Sequence, residues 1–387
     1  MENKELDYSI EVIEMSKHLP IDIKPVIGRK WVLNGEDNSN FKMIKDAYDD
    51  SPTNASIINA YCNYTLGEGL VDLAVLNDET KSSEELKIKL AKLSVNKYLS
   101  KGDAKLIVQD FKTYGAYSVQ IIWNAAVKKE DKKPLLIKHL PMNKIGINID
   151  KEMNVNGYWF CFDWEEKNKY KPQLYPIFDG NYKDEDVEIY VVQRPSSNAF
   201  FSQPDWISGL RYAQLEGELA NSAINHVLNG FQGTKVVNCN NGVPATEELK
   251  AEYKRKIIKD LTGTNNTNKV IVSFNASKEK GIEVTDIPIP ELNQQYVHFA
   301  EEAEKKLRIA HSASPVLFSG TKEGSGLSNN ADEIEMATAM TYRQSINPIR
   351  ETILDGLHFI FKHIDSSIIL DFLDFRTFTG DKREEIK

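Results

Sequence analysis

Between Pro204 and Phe231 the chain reads PDWISGLRYAQLEGELANSAINHVLNGF, and this stretch limits the possible folds more than any other. Apolar residues recur at Trp206, Leu210, Ala213, Ala220, Ile224, Val227 and Phe231, a spacing that keeps returning to one face of a helix. Asp205 stands where a capping residue would accept the first free amides. At 1.5 Å rise per residue the helix would be roughly 40 Å long, so the fold must accommodate a rod that crosses the molecule. Directly after it comes a short strand pattern, KVVNCNNG. The rod therefore delivers the chain into something small.

That following piece reads as a compact αβ module. It comprises a strand over Lys235 to Asn240, a turn at Asn240-Asn241-Gly242, a helix over Thr246 to Leu261, and strands over Lys269 to Asn275 and Gly281 to Ile289. Pro244 and Gly263 punctuate its helix as start and stop signals. A second long helix, ELNQQYVHFAEEAEKKLRIAHS, follows, with a narrow stripe of Leu292, Tyr296, Phe299, Ala303, Leu307 and Ala310. Its remaining girth is charged, which suits a helix packed on one side or one whose flanks meet neighbouring copies. A glycine-rich loop spans 319–328, and a third long helix starts near Asn330, where Glu333 gives a start resembling a capping box. Pro348 lacks the amide that would bond the carbonyl of Gln344, so a kink is expected there.

Ahead of the rod, residues 1 to about 204 read as helices joined to an antiparallel sheet. Helices are expected over Ser56 to Thr65, Ser83 to Leu99 and Asp103 to Thr113, with Ser83 as a cap and Glu84 and Glu85 in its first turn. FKTYGAYSVQIIWN, LLIKHLP, GYWFCFDW and VEIYVVQRP are strand patterns rich in β-branched and aromatic residues. The last segment, 366–387, reads as a tail ending in charged residues. The fold class is α+β.

With 387 residues the chain has enough length for a substantial core and two or three domains. Its net charge of −9 argues against tight phosphate neutralisation, the mode that binds nucleic acid firmly. Cys62, Cys161 and Cys239 are odd in number and far apart, so reduced thiols are expected, and no disulfide framework or metal site is indicated. The acidic N-terminus, MENKELDYSIEVIEMSKHL, lacks the features of an export signal, and no apolar run is long enough to span a bilayer; a soluble protein with no membrane partner is expected.

The scan for catalytic residues is unproductive. Gly263 to Lys269, GTNNTNK, lacks the second glycine and the Ser or Thr of a phosphate loop, and HExxH, GxSxG and CxxC do not occur. His311 lies beside Ser312 and Ser314, but neighbours at a helix end rarely face each other, and a satisfied surface histidine is expected. The pairs Glu301-Glu302 and Asp332-Glu333 read as a solvated face and a helix start. No cofactor is expected, and the chain reads as a non-enzyme. Two alternatives stay open: a nucleotide-binding enzyme using 319–326 as a phosphate loop, and a scaffold or adaptor without a channel.

The order of these pieces resembles the portal proteins of tailed bacteriophages. The likeness is carried by PDWISGLRYAQLEGELANSAINHVLNGF with VVNCNNG, by HSASPVLFSGTKEGSGLSNNADEI, and by NPIRETI at 347–353, with weaker support from SPTNASIINAY and FKTYGAYSVQIIW. It implies a mixed wing at 1–204, a stem helix at 205–231, a clip at 232–290 and a second stem helix at 291–313. It further implies a tunnel loop at 314–330, a kinked wing helix at 331–365, and a tail or reduced crown at 366–387. By the same resemblance the chain forms a dodecameric ring at the capsid vertex of the virion, assembled in the host cytoplasm. Double-stranded DNA passes through that ring, and its partners are the major capsid protein, terminase and a head-tail adaptor. Lys322 and Glu323 of the tunnel loop would approach the DNA. Lys278 and Lys280, in a turn of the clip, fit either a solvated turn or a ring mouth that meets DNA or a partner.

Overall fold

The computed structural model describes residues 26–27, 31–78, 83–125, 128, 132–197, 200–228, 235–239, 246, 248–249, 251–252, 255, 270–274, 292–318 and 331–375. In chain order the longer helices are α1 (Ser39–Asp50), α2 (Pro52–Leu66), α3 (Glu84–Asn96), α4 (Lys101–Tyr114), α5 (Leu210–Leu228), α6 (Leu292–Ala310), α7 (Ala331–Thr341) and α8 (Asn347–Ile364). The strands are β1 (Val26–Ile27), β2 (Val32–Leu33), β3 (Gly69–Asp72), β4 (Ala116–Trp123), β5 (Pro134–Leu140), β6 (Ile145–Ile149), β7 (Val155–Phe160), β8 (Gln173–Pro176), β9 (Val187–Gln193), β10 (Lys235–Cys239), β11 (Val270–Phe274) and β12 (Leu370–Leu373).

Local chemistry explains where the body's helices begin. Ser51, Ser83 and Ser100 each accept a backbone amide three residues on, from Asn54, Leu86 and Asp103, and so cap α2, α3 and α4. Pro52, in the first turn of α2, gives up an amide that the turn would leave free anyway, which moves that helix's start ahead of the expected Ser56. Gly115 closes α4 in the left-handed region at φ +76, and a Cβ there would stand 2.6 Å from the backbone of Gln203.

The sheets fill in the body. β4 lies at the centre of the antiparallel order β5-β4-β9, and a second, five-stranded sheet runs β1-β2-β6-β7-β8. Tyr117, Val119 and Ile121 on β4 pack with Ile107 and Phe111 of α4, and with Ile353 and Leu357 of α8, in one continuous core. β12 pairs antiparallel with β3, tying Leu370–Leu373 to Gly69–Asp72. The expectation of a plain tail from residue 366 is thereby corrected: Leu370 and Phe372 are buried on this ribbon, and their burial holds the segment in place.

The rod differs from its sequence reading at both ends. It opens with a 3-10 turn at Ile207–Gly209, and Asp205 caps nothing; its carboxylate instead pairs with the buried ammonium of Lys112 at 2.8 Å. α6 returns beside α5 in the opposite direction. Gly209, in the 3-10 turn just ahead of α5, faces Leu307 and Ala310 at the end of α6, and farther along Ser222 Oγ meets Tyr296 Oη at 2.7 Å. β10 follows α5, β11 precedes α6, and the two strands pair in parallel. The expected third strand at 281–289 lies outside the described residues.

Helix α7 runs into α8 through a π-helical turn, Tyr342–Ile346, with Pro348 in the first turn of α8. The expected interruption thus takes the form of a widened turn just before the proline, which spares the clash that an α-helical carbonyl would make with its ring. No helix among the described residues is long and apolar enough to cross a membrane.

Candidate functional site: a projecting helix pair and its mount

Two helices leave the body together. Gly217 of α5 lies against Asp50, the last residue of α1, at 3.1 Å from the position a Cβ would take. Just past that point Ala220, Asn221, Ala223 and Ile224 are exposed, Ile224 by 57%. The stripe that began at Trp206 and Ala213, both fully buried, continues geometrically beyond the edge of the body. Ile224 stays uncovered within the chain because α1 ends before reaching it. On α6 the pattern repeats, with Ala303 and Leu307 buried while Val297 and Phe299, nearer the start of the helix, are exposed. Met336 and Met340, one turn apart on α7, are also exposed, by 67% and 52%.

The mount is polar and built around the first turn of α2. Glu216 of α5 accepts the Thr53 amide at 3.2 Å, the Thr53 hydroxyl at 2.7 Å and the Ser51 hydroxyl. His311, just beyond α6, reaches the same turn, its Nε2 lying 2.8 Å from the Asn54 side-chain oxygen. The imidazole is stacked on Trp206 with ring centroids 5.5 Å apart and is only 2% exposed. Burial, with the Lys112 ammonium nearby, holds its pKa well below the ordinary range and keeps it neutral. The reading of His311 as a surface histidine is therefore corrected. It is satisfied by Asn54 on one side only, since Nδ1 has no partner.

Tyr61 stands next to this cluster. Its hydroxyl is shared between the carbonyls of His311 and Ser312 at 3.1 and 3.2 Å, and the Lys112 ammonium lies 4.2 Å from its ring centre. A cleft of about 400 Å³ opens beside the mount, lined among others by Lys112, Arg194, Asp205, His311, Gln344 and Glu351. Among the described residues, no group of three His, Cys, Asp or Glu side chains is placed to hold a metal ion. Lys322 and Glu323, and likewise Lys278 and Lys280, lie outside the described residues. Sequence reasoning missed Glu216, whose spacing places it on the polar side of α5, because the signal for it lies 163 to 165 residues earlier, in the Ser-Pro-Thr start of α2.

The class of architecture is thus a mixed α+β body carrying an antiparallel helix pair, with a small strand pair joined to its far end. No family model and no curated protein matches the sequence. Solved structures do match. A chain from the neck of an empty GTA (gene transfer agent) particle, computed with C6 symmetry, superposes with a TM-score of 0.52 at 10% identity, covering 94% of this chain and 90% of that one. A chain from the neck of a native GTA particle, computed with C12 symmetry, gives 0.50 at 11% identity over 94% and 90%. An HK97-family phage portal protein from Corynebacterium diphtheriae gives 0.43 at 9% identity over 89% and 96%. The chain is similar in fold to these GTA neck chains along most of its length.

Proposed function

We propose that the chain is the subunit of a portal ring, a structural component of a phage virion through which double-stranded DNA is packaged and ejected. The observation that carries this reading is the projecting pair α5–α6. It is a two-helix stalk whose apolar stripe outruns its own body, in a fold shared over 94% of the chain with neck chains of symmetric particles. In this reading residues 1–204 are the wing, 205–231 and 291–313 the stem, 232–290 the clip, and 314–330 the tunnel loop. Residues 331–365 are the kinked wing helix, followed by the β12 ribbon on β3.

A ring gives the exposed residues a physical purpose. Apolar side chains such as Ile224 and Phe299 gain by burial against neighbouring copies, at about 25 cal/mol per Å² removed from water. A heterologous contact that closes under rotation uses two different faces of one chain, which the stalk and the methionine face of α7 supply. Twelve copies at −9 each would carry about −108, a sign that repels phosphate and lets DNA slide past. Lys322 and Glu323 are the charged pair assigned to the narrowest part of the channel, and Lys278 and Lys280 to its mouth. The partners are the major capsid protein, terminase during packing and a head-tail adaptor afterwards, and the energy for packing comes from the partner ATPase. Mass measurement with electron microscopy of the purified protein tests the reading: closed rings with a central channel are expected, and a strictly monomeric species across salt conditions would overturn it.

A further inference from the structure

We propose that α2 is a strut, clamped at both ends by charged side chains of other helices, that couples the mount of the projecting pair to α8, so that a change in the pair's tilt is felt at the π turn and at the β12 ribbon. Every α-helix leaves free amides at its start and free carbonyls at its end, and its dipole favours an anion at the first and a cation at the second. Here both terminal partners come from other helices. The carboxylate of Glu216, on α5, takes the first-turn amide and hydroxyls of α2. At the opposite end Arg350, on α8, donates from Nε to the Thr65 carbonyl at 2.8 Å and from its terminal nitrogen to the Tyr64 carbonyl at 2.9 Å. The 15 residues of α2 span about 22 Å between these clamps.

The strut is held stiff and is read at both ends. Ile57, Ile58 and Tyr61 are buried along its length, and Tyr61 lies parallel to the Phe318 ring at 5.1 Å. Arg350 is itself fixed by Asp374 at 2.6 Å, and its guanidinium lies over the rings of Tyr342, in the π turn, and Phe372, on β12. The stalk cannot swing on its root without pulling Glu216 off the first turn of α2 or moving α2 as a body. Moving α2 draws its carbonyls away from Arg350, because charge-assisted bonds at both ends resist separation. The coupling belongs to one chain and does not depend on the ring reading.

Hydrogen exchange of the full chain, read by mass spectrometry, tests it. The Glu216→Gln variant removes the charge at one clamp and keeps its shape; exchange should rise about fivefold or more over residues 347–353 of α8, as well as locally in α5. Coupling is reciprocal, so Arg350→Lys should raise exchange over 210–220 of α5 by a similar factor. Should Glu216→Gln fail to fold, the Ser51→Ala/Thr53→Ala double variant removes the two hydroxyl donors instead, and the same rise in α8 is expected. Peptides from β4 and β5 serve as the internal control and should be unchanged. If each variant loosens only its own end of α2, or if the rise is equal in β4, α2 is not a strut.

Discussion

Glu188 sits on β9 with its side chain sealed from solvent, one oxygen accepting the Lys183 amide at 3.2 Å and the other without a partner. Burial pushes its carboxyl from 4.5 up to about 7, against the partial relief that the Lys183 amide and charge supply. A carboxyl whose folded value is raised makes the protein most stable below 4.5, with stability falling as pH rises towards 7 and level above. His311 works in the opposite sense: a buried neutral imidazole whose value is lowered gives stability that is present above 6.5 and lost as pH falls below it. In the native chain the two slopes oppose each other between pH 4.5 and 6.5. The Glu188→Gln variant removes one of them, so its thermal midpoint should climb with pH over that window and gain on the parent as pH approaches 7. Parallel midpoint curves for parent and variant would show that Glu188 is not held protonated by burial. Nothing in VEIYVVQ announced this, because a strand pattern tells which face a glutamate takes and not what closes over it. Asp205 was misread for a related reason: its position before a helix suggested a cap, while the buried Lys112 that claims it comes from α4.

At the scale of elements, the stripe of α5 was legible and its burial was not. Periodicity identifies a face; whether another part of the chain reaches that face depends on where α1 stops. The Ile224→Asp substitution tests that face. In dilute, unassembled chain the substitution sits on an exposed surface and should alter stability by no more than about 0.5 kcal/mol. Assembly should fail, because a neighbouring copy would have to bury an unpaired carboxylate at a cost of several kcal/mol. Unfolding midpoints at low concentration and sedimentation at high concentration check the two halves, and normal assembly of the variant would remove this face from the interface. The Ser83 cap set the start of α3 to within one residue, and the expected boundaries of α3 and α4 all lie within three residues of those observed. β12 escaped notice because four residues, LDFL, are too short to show alternation, and their pairing with β3 spans nearly 300 residues. Pro348 signalled an interruption, and only packing decided that it would be a π turn.

For the molecule as a whole, the order of the described parts carried more information than any single motif: mixed body, rod, parallel strand pair, rod, interrupted helix. That order stayed legible at an identity with solved neighbours of about a tenth, since a fold tolerates nearly any residues that keep its periodicities and turns. The channel role proposed for Lys322 and Glu323 is tested by deleting Thr321 to Gly324. Ring formation should persist, as loops tolerate change better than cores, while genome packaging or retention falls. Calorimetry should find no ATP or GTP binding in parent or deletion; a micromolar affinity lost in the deletion would favour a phosphate-loop enzyme instead. The central claim, that this chain builds a ring, is tested most directly by electron microscopy of the purified full-length protein at several salt concentrations. The account predicts closed rings of twelve subunits around a central channel, with the α5–α6 pairs projecting side by side. Particles that remain single chains at every concentration and salt would contradict it.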